Sequence, residues 1–230
     1  MTDDIPDIQV FPAKVAELHK KRISPNGKYG FEVETYQGTI PQAVAWQDSW
    51  EIFFSNSMKR ILAKEEESQG PDEEMKQLSE ALINKVIPRL LRPLETGGRQ
   101  IQPRLVHGDI WDGNISTDID TNMPMIFDAT CLYAHNEIEL APWRPARHKM
   151  GKSYIKQYFK HFPISPPEED QDDRNALYCM RFNTCCSALY PGNLRFRRIV
   201  VEEMRNLVGK YPGGYEGWAK EKGELPSPPT

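Results

Sequence analysis

The chain carries a ten-residue run that decides its fold: Leu105-Val106-His107-Gly108-Asp109-Ile110-Trp111-Asp112-Gly113-Asn114. A polar, turn-rich stretch follows at residues 116–122, and a second apolar run at residues 125–127 ends at Asp128. Short apolar runs bounded by turn residues predict short β-strands. We therefore expect a loop and a β-hairpin that bring two acids and an amide into one site.

The spacing of these polar residues matches a phosphoryl-transfer loop. In the protein-kinase pattern H-R-D-x-x-x-x-N, the Asp accepts the proton of the attacking hydroxyl, and the Asn and a later Asp bind Mg²⁺. Asp109, Asn114 and Asp128 occur in that order, after His107. A His-Gly-Asp triplet alone is an ordinary turn, but the joint pattern favours catalysis. We predict Asp109 and His107 as catalytic residues and Asn114 and Asp128 as magnesium ligands.

The loop also resembles the V-H-G-D-L-W-x-G-N signature of the fructosamine-3-kinase and ketosamine-3-kinase family, a branch of the aminoglycoside-phosphotransferase-like kinases. Two other stretches are similar to this family. Residues 38–54 resemble its G-x-I-P-Q segment with paired tryptophans, and residues 133–140 resemble Y-G-H-x-E-x-D-L. The resemblance covers about residues 15–215, and some of its stretches are similar to fungal members.

The resemblance implies a mainly α (α+β) fold, namely the C-terminal lobe of a protein-kinase-like fold with a short catalytic β-hairpin. Neither G-x-G-x-x-G nor G-x-x-x-x-G-K-[ST] occurs, so the N-terminal lobe is expected to be absent and no nucleotide-binding residue is assigned. We expect an N-terminal extension at 1–14, the lobe at 15–219 and a flexible tail at 220–230.

The resemblance further implies transfer of the ATP γ-phosphoryl group to a sugar hydroxyl of a ketosamine, with ATP and Mg²⁺ as cofactors. The partners would be glycated proteins, carrying fructosamine or ribulosamine on lysine, or small ketosamines, and phosphorylation would lead to deglycation. Two alternatives stay open: a truncated, non-catalytic kinase-like module that acts by binding, and a kinase of aminoglycoside-like or choline-like small molecules. The loop Trp111 and the Ile-Pro-Gln segment favour a ketosamine over those small molecules.

Four residues are candidates for substrate binding by resemblance, and three of them have a structural alternative. Trp111 and Trp46 either contact the acceptor or pack their loops, because an indole buries a large apolar area. His135 either lines the acceptor pocket or is a buried histidine held by hydrogen bonds. Asp112 follows the base closely and is predicted to touch the acceptor. Glu137 and Glu139 either orient the loop or are exposed.

Apolar spacing near 3.6 residues predicts five helices beyond a first one at residues 15–21. These helices are expected at residues 48–64, 75–91, 153–162, 174–189 and 195–210. Arg195, Arg197 and Arg198 are expected on a solvated helix face rather than in a phosphate or protein contact.

The composition excludes several classes of protein. The chain has 230 residues, a net charge of -4, a pI near 5.8 and a mean hydropathy of -0.63. An acidic chain is not typical of a dedicated nucleic-acid binder, and no apolar run reaches the roughly 18 residues of a membrane span. The N-terminus lacks a secretory signal. We therefore expect a cytoplasmic protein with neither nucleic acid nor membrane as partner, and its four cysteines as buried thiols.

Overall fold

The computed structural model of the protein describes residues 5–224. These residues are mainly helical, with short strands, which confirms the predicted mainly α class. They form two compact units. The first comprises the described residues up to Asp48 together with Gln102–Ser165, and the second comprises Ser49–Ile101 together with the described residues from Pro166 onward. The bounds 15 and 219 of the single predicted lobe stay a prediction.

The first unit combines two helices with three two-stranded antiparallel ribbons. Its elements are α1 (Phe11–Lys21), β1 (Tyr36–Gln37), β2 (Ile40–Pro41), β3 (Arg104–Val106), β4 (Ile115–Thr117), β5 (Pro124–Ile126), β6 (Leu132–Ala134), a 3-10 segment (Asn136–Trp143) and α5 (Lys152–Tyr158).

The helix α1 begins within the N-terminal extension predicted for residues 1–14, whose bounds stay a prediction. The helix begins one turn earlier than expected, because Pro12 is tolerated in a first helical turn, and the side chain of Asp7 accepts a hydrogen bond from the N–H of Gln9 at 2.7 Å just before it. Ile5 and Ile8 pack against the core of this unit. Residues 5–14 are thus part of the unit, and residues 1–4 lie outside the described residues.

Along the chain, the β4–β5 ribbon is nested inside the β3–β6 ribbon. β3 pairs with β6, with Val106 opposite Leu132, and β4 pairs with β5, with Ile115 opposite Ile126. The loop 107–114 therefore lies beside the loop 127–131, and the backbone N–H of Thr130 donates to the carbonyl of His107 at 2.8 Å. The predicted short strands before His107 and Asp128 are confirmed, and this pairing brings their two loops together.

The second unit is helical. Its elements are α2 (Trp50–Gln69), α3 (Glu73–Ala81), a π-helical turn (Leu82–Val86), α4 (Ile87–Leu91), 3-10 turns (Arg92–Glu95 and Glu168–Asp170), α6 (Gln171–Leu189), α7 (Arg195–Lys210) and α8 (Gly214–Lys222). α6 is buried on nearly all sides, as expected of a helix inside a helical core.

Two predictions in this unit were wrong. α2 continues to Gln69 instead of ending at residue 64, and its Glu65 is buried and accepts from Arg197 at 2.8 Å. Arg197 is therefore not on a solvated face. The helix α8 was not predicted. Residues 220–222 belong to it, and Glu224 accepts from Arg99 at 2.6 Å, while the predicted bounds of the tail, 220–230, stay a prediction. Residues 225–230 lie outside the described residues.

Within residues 5–224, no helix is both long enough and apolar enough to cross a membrane.

Candidate active site

The loop 107–114 connects β3 to β4 and is fixed at several points. Ile110 is fully buried, and its carbonyl accepts a hydrogen bond from Nε1 of the buried Trp143 at 2.9 Å. The N–H of Asn114 donates to the carbonyl of Trp111 at 2.9 Å, which closes the turn. The path of the loop is therefore set by buried groups, so its polar side chains have defined positions.

Asn114 and Asp109 are joined directly across five residues. The amide nitrogen Nδ2 of Asn114 donates to Oδ2 of Asp109 at 2.9 Å and to the carbonyl of Asp109 at 3.0 Å. Asn114 is itself buried. The Asn114 amide nitrogen thus orients Asp109, the predicted base. Within residues 5–224, the amide oxygen Oδ1 of Asn114 accepts no hydrogen bond.

His107 links the loop of Asp109 to the residue before Asp128. Its Nδ1 accepts from the backbone N–H of Asp109 at 3.3 Å, and its Nε2 lies 3.0 Å from the carbonyl of Phe127. Since Nδ1 accepts, the ring hydrogen is on Nε2 and is donated to Phe127, and the imidazole is neutral. His107 therefore connects the two loops by hydrogen bonds, and it is 3% exposed, which leaves little surface for a substrate.

Asp128 stands at the start of the loop 127–131 with an exposed side chain and a left-handed backbone, at φ 59°. Asp tolerates this conformation better than most residues do. Asp128 and Glu139 both raise the pKa of the carboxyl of Asp109 by charge repulsion. The two predicted metal ligands thus lie on neighbouring loops beside Asp109.

Burial is the main reason that the pKa of Asp109 is raised to about 6, and the hydrogen bond from Asn114 opposes the shift. A carboxyl with a pKa near 6 is ionised at neutral pH and is a stronger base than an ordinary aspartate. These properties suit a group that removes a proton from a hydroxyl.

Glu139 holds the backbone in front of Asp109. Its buried carboxylate accepts from the N–H of His107 at 2.6 Å and from the N–H of Gly108 at 2.9 Å. The backbone of Gly108 is left-handed, at φ 86°, and a Cβ atom there would lie 2.5 Å from Oγ1 of Thr130. Of the two alternatives weighed for Glu139, the structure favours orientation of the loop. Glu137 is also buried and accepts from the N–H of Ser165 at 2.9 Å.

His19, a buried histidine on α1, lies next to Glu139. This contact was not predicted from the sequence. Asn136 donates to the hydroxyl of Tyr158 at 2.9 Å, and that hydroxyl lies 2.8 Å from Nδ1 of His19. The hydroxyl has one hydrogen, so it donates to Nδ1, and the ring hydrogen of His19 is on Nε2. Nε2 lies 3.5 Å from Oε2 of Glu139, an electrostatic contact longer than a hydrogen bond. The sequence signal was a histidine on the buried face of α1, four residues after Val15.

Asp112 and Trp111 both contact the segment 147–149. Oδ1 of Asp112 accepts from the backbone N–H of Lys149 at 3.3 Å and lies 2.9 Å from Nδ1 of His148. The ring of Trp111 meets that of His148 edge to face at 5.6 Å. A Cβ on Gly113 would lie 2.2 Å from the indole of Trp111, so this glycine allows the indole to cross the loop. Both contacts favour packing, although Trp111 is only half-buried.

The structure does not bring the other two candidate substrate residues to an open position beside Asp109. His135 is fully buried, and its Nε2 lies 2.9 Å from Oγ of Ser165, which favours the structural alternative. Trp46 is half-buried and stacks on Tyr133 with ring centroids 6.1 Å apart. Trp50, the second tryptophan of the stretch 38–54, is a core residue whose Nε1 donates to the hydroxyl of Tyr178 at 2.8 Å.

The side-chain oxygens of Asp128 and Asn114 suit a magnesium ion that also binds phosphate oxygens. Residues 5–224 contain no group of three or more His, Cys, Asp or Glu side chains arranged to hold a metal. Mg²⁺ is usually bound by one or two carboxylates, with water and substrate phosphates completing its shell. The exposed carboxylate of Asp128 and the amide oxygen of Asn114 are hard oxygen donors of this kind.

Comparison with known proteins gives the family. The profile of the fructosamine kinase family matches residues 2–199 of the chain. The chain belongs to the fructosamine kinase family. This fructosamine kinase family member is 32% identical over 166 residues to the chloroplastic protein-ribulosamine 3-kinase of Arabidopsis thaliana, covering 72% of the chain and 48% of that protein. It is 39% identical over 114 residues to the ketosamine-3-kinase of Mus musculus, covering 50% of the chain and 34% of that protein.

The chain spans about half the length of the first curated relatives that it matches. A solved structure of similar fold is the putative fructosamine-3-kinase from Haemophilus somnus 129PT, with a TM-score of 0.68 and 19% identity, covering 87% of this chain and 62% of that one. The fructosamine kinase family thus accounts for both the catalytic-loop motif and the fold.

Proposed function

We propose that this fructosamine kinase family member transfers the γ-phosphoryl group of ATP to a sugar hydroxyl of a ketosamine, with the chain as the C-terminal, kinase-like lobe of the catalytic unit. The acceptor would be fructosamine or ribulosamine on the lysine of a glycated protein, or a small ketosamine, and the product would enter deglycation. The names of the Arabidopsis and mouse relatives support this acceptor class. We place the activity in the cytoplasm.

In this proposal Asp109 is the general base. Asn114 holds Oδ2 of Asp109, so Oδ1 remains to accept the proton of the acceptor hydroxyl. A base with a pKa near 6 is mostly ionised at pH 7 and accepts that proton readily. His107 and Glu139 keep the backbone of Asp109 in place and do not exchange protons with the substrate.

Asn114 and Asp128 would hold Mg²⁺. The ion would neutralise the charge of the nucleotide phosphates when bound. The observation that carries the proposal is the amide of Asn114, whose nitrogen orients the base while its oxygen remains for the metal. In this way Asn114 positions both the base and the metal ion. This favours phosphoryl transfer, in which positioning supplies most of the catalysis.

The test is to incubate the chain with ATP, Mg²⁺ and a peptide containing one fructosylated or ribosylated lysine, and to measure the peptide mass. We expect one phosphoryl group on the glycated peptide and none on the unglycated peptide. Asp109→Asn and Asp128→Ala should lower the rate by at least about 10²-fold. Asp120→Asn, an exposed acid in the turn between β4 and β5, is the matched control and should keep the rate.

Two outcomes would contradict the proposal. Phosphorylation of an aminoglycoside or choline, but not of the glycated peptide, would overturn the acceptor class. A folded chain that neither phosphorylates the peptide nor binds ATP in a Mg²⁺-dependent manner, measured by calorimetry beside Asp128→Ala, would overturn the kinase assignment and favour a module that acts by binding.

A further inference from the structure

The second, helical unit contains a pocket of about 380 Å³, which we call the helical pocket. It is lined by residues of α2, α3 and the π-helical turn, and by Arg197 of α7. All of its lining residues belong to the second unit, whereas the loop 107–114 belongs to the first. The helical pocket is therefore not part of the candidate active site, and its volume is that of a small-molecule site.

Most of the surface of the helical pocket is apolar. Leu62 of α2, Met75 of α3 and Ile83 of the π-helical turn contribute to it, and Met75 is 5% exposed. Methionine is flexible and fits its shape to irregular neighbours. An apolar wall with a few polar groups is typical of pockets that bind small organic molecules.

The π-helical turn interrupts the helical ladder at this pocket. The N–H of Ile87 donates to the carbonyl of Leu82, five residues earlier, and Pro88 has no N–H to donate to the carbonyl of Asn84. Ile83 and Asn84 of this turn line the pocket. Single π-helical turns are rare and frequently lie at functional sites, so the turn is a second, independent indication of a ligand site.

Arg197 provides the helical pocket with a nearly buried hydrogen-bond donor. It is 8% exposed, and its Nε and Nη2 each donate to the carboxylate of Glu65 at 2.8 Å. Nη2 also donates to the carbonyl of Gly70 at 2.7 Å, whereas Nη1 donates to no residue within 5–224. A guanidinium has five N–H groups, and a nearly buried one without an acceptor is costly. The two N–H groups of Nη1 can therefore donate to a ligand oxygen in the pocket.

The charges around the helical pocket favour a neutral ligand. Four carboxylates and three cationic groups line it. The hydrogen bond with Glu65 is the main reason that the pKa of Arg197 is raised, and the charges of Asp72 and Glu66 contribute to the shift. An anion would meet these carboxylates and lose its hydration, and a cation would meet two exposed lysines. A neutral oxygen acceptor avoids both costs.

We propose that the helical pocket binds a neutral, mainly apolar small molecule whose carbonyl oxygen accepts a hydrogen bond from Nη1 of Arg197. The apolar part of the ligand would cover Leu62, Met75 and Ile83, which removes apolar surface from water. This site needs neither ATP nor a ketosamine, so its test is independent of the proposed function.

The test uses prodan, a neutral naphthalene ketone whose fluorescence shifts to the blue in apolar surroundings. Prodan is titrated with the 230-residue chain, and we expect saturable binding at about one probe per chain with blue-shifted emission. Three compounds then compete with prodan: propionylnaphthalene, propylnaphthalene, which lacks the carbonyl, and naphthoate, which is an anion. We expect propionylnaphthalene to bind about tenfold more tightly than either of the others, because only it offers a neutral acceptor to a charged donor.

The carbonyl is varied on the ligand because Arg197 also holds Glu65, so a change of this arginine would disturb the unit itself. Two separate variants fill the helical pocket from opposite helices, Ala63→Trp on α2 and Ser79→Trp on α3. At least one of them should weaken prodan binding by about tenfold or more. Asn56→Trp, an exposed position on α2 outside the pocket, is the matched control and should bind prodan like the wild type. Circular dichroism checks that the variants are folded.

Three outcomes would overturn the inference. Absence of saturable prodan binding, or unchanged binding in both filled variants, would show that the helical pocket is not a ligand site. Equal affinity for propionylnaphthalene and propylnaphthalene would remove the hydrogen bond from Arg197. Tighter binding of naphthoate than of propionylnaphthalene would overturn the neutral class in favour of an anion.

Discussion

At the scale of single residues, the burial that raises the pKa of Asp109 also affects folding. Its carboxyl has a pKa of about 6 in the folded chain, against the usual 3.8 of an unperturbed aspartate. The folded state therefore holds the proton more tightly than the unfolded state does. Above pH 6 the ionised group lowers the free energy of unfolding, and below about pH 4 this penalty is absent.

We predict that Asp109→Asn stabilises the chain while it abolishes phosphoryl transfer. The amide keeps an oxygen that accepts from Asn114 but removes the buried charge. The gain in free energy of unfolding should be about 1–3 kcal/mol at pH 8 and should vanish as the pH falls through about 6 toward 4. Urea unfolding with EDTA present, over this pH range, measures it. A variant less stable than the wild type at pH 8 would contradict the assigned burial cost.

We predict that Asp118→Asn changes the free energy of unfolding in the opposite direction to Asp109→Asn. Hydrogen bonds from the backbone N–H groups of Thr121 and Asp120 lower the pKa of the carboxyl of Asp118, so its charge stabilises the turn. Loss of that charge should lower stability at neutral pH and have no effect once the wild-type carboxyl is protonated in acid.

Gly108 lies in a left-handed backbone conformation with little room for a side chain. We predict that Gly108→Ala lowers the free energy of unfolding by about 1–3 kcal/mol, because φ is 86° and the new Cβ would lie 2.7 Å from the carbonyl oxygen of Thr130. Gly209→Ala is the control, since it lies inside α7 with open space around its Cβ, and should stabilise by about 0.5–1 kcal/mol. Chemical denaturation of both variants measures these two changes in the free energy of unfolding.

At the scale of elements, the 3-10 segment Asn136–Trp143 fixes the catalytic loop through Glu139. We predict that Glu139→Gln lowers the free energy of unfolding by about 1–3 kcal/mol and lowers kcat more than it raises KM. An amide at this site presents an N–H to one of two backbone N–H groups and leaves it without an acceptor.

Glu221→Gln, an exposed position on α8, is the matched control and should leave both quantities unchanged. Thermal unfolding and steady-state kinetics on glycated lysine are the measurements. Retention of wild-type stability by Glu139→Gln would show that the loop does not depend on this carboxylate.

The elements also explain what the sequence could predict. The short strands around the loop 107–114 and the closeness of Asn114 to Asp109 were predictable, because the spacing of these residues is local. The contact of His19 with Glu139 and that of His148 with Asp112 join distant parts of the chain, which one sequence does not reveal. The end of α2 was placed too early because a run of glutamates resembles a solvated turn, whereas Glu65 forms a buried pair with Arg197.

At the scale of the whole molecule, neither compact unit is a continuous piece of chain. Each takes one part from the residues up to Ile101 and another from the residues from Gln102 onward. We predict that a chain ended after Ser165 keeps the elements of the first unit but leaves α2, α3 and α4 without a core. Trp50 would lose the hydroxyl of Tyr178, and its buried surface would be exposed.

Hydrogen exchange followed by mass spectrometry measures the exposure of α2, α3 and α4 in the shortened chain, with the 230-residue chain as reference. We expect fast exchange across residues 50–91 of the shortened chain and preserved protection in the strands around the loop 107–114. Full protection of residues 50–91 would contradict the division into units.

The neutral ring of His107 also provides a spectroscopic reporter. Its Nε2–H is donated to a carbonyl in a nearly buried place, so it should exchange slowly with water and give a resolved downfield imidazole resonance in NMR. That signal requires both loops to be assembled but needs neither nucleotide nor acceptor. It therefore separates an inactive variant with an intact loop from one whose loop has come apart, before any assay of phosphate transfer.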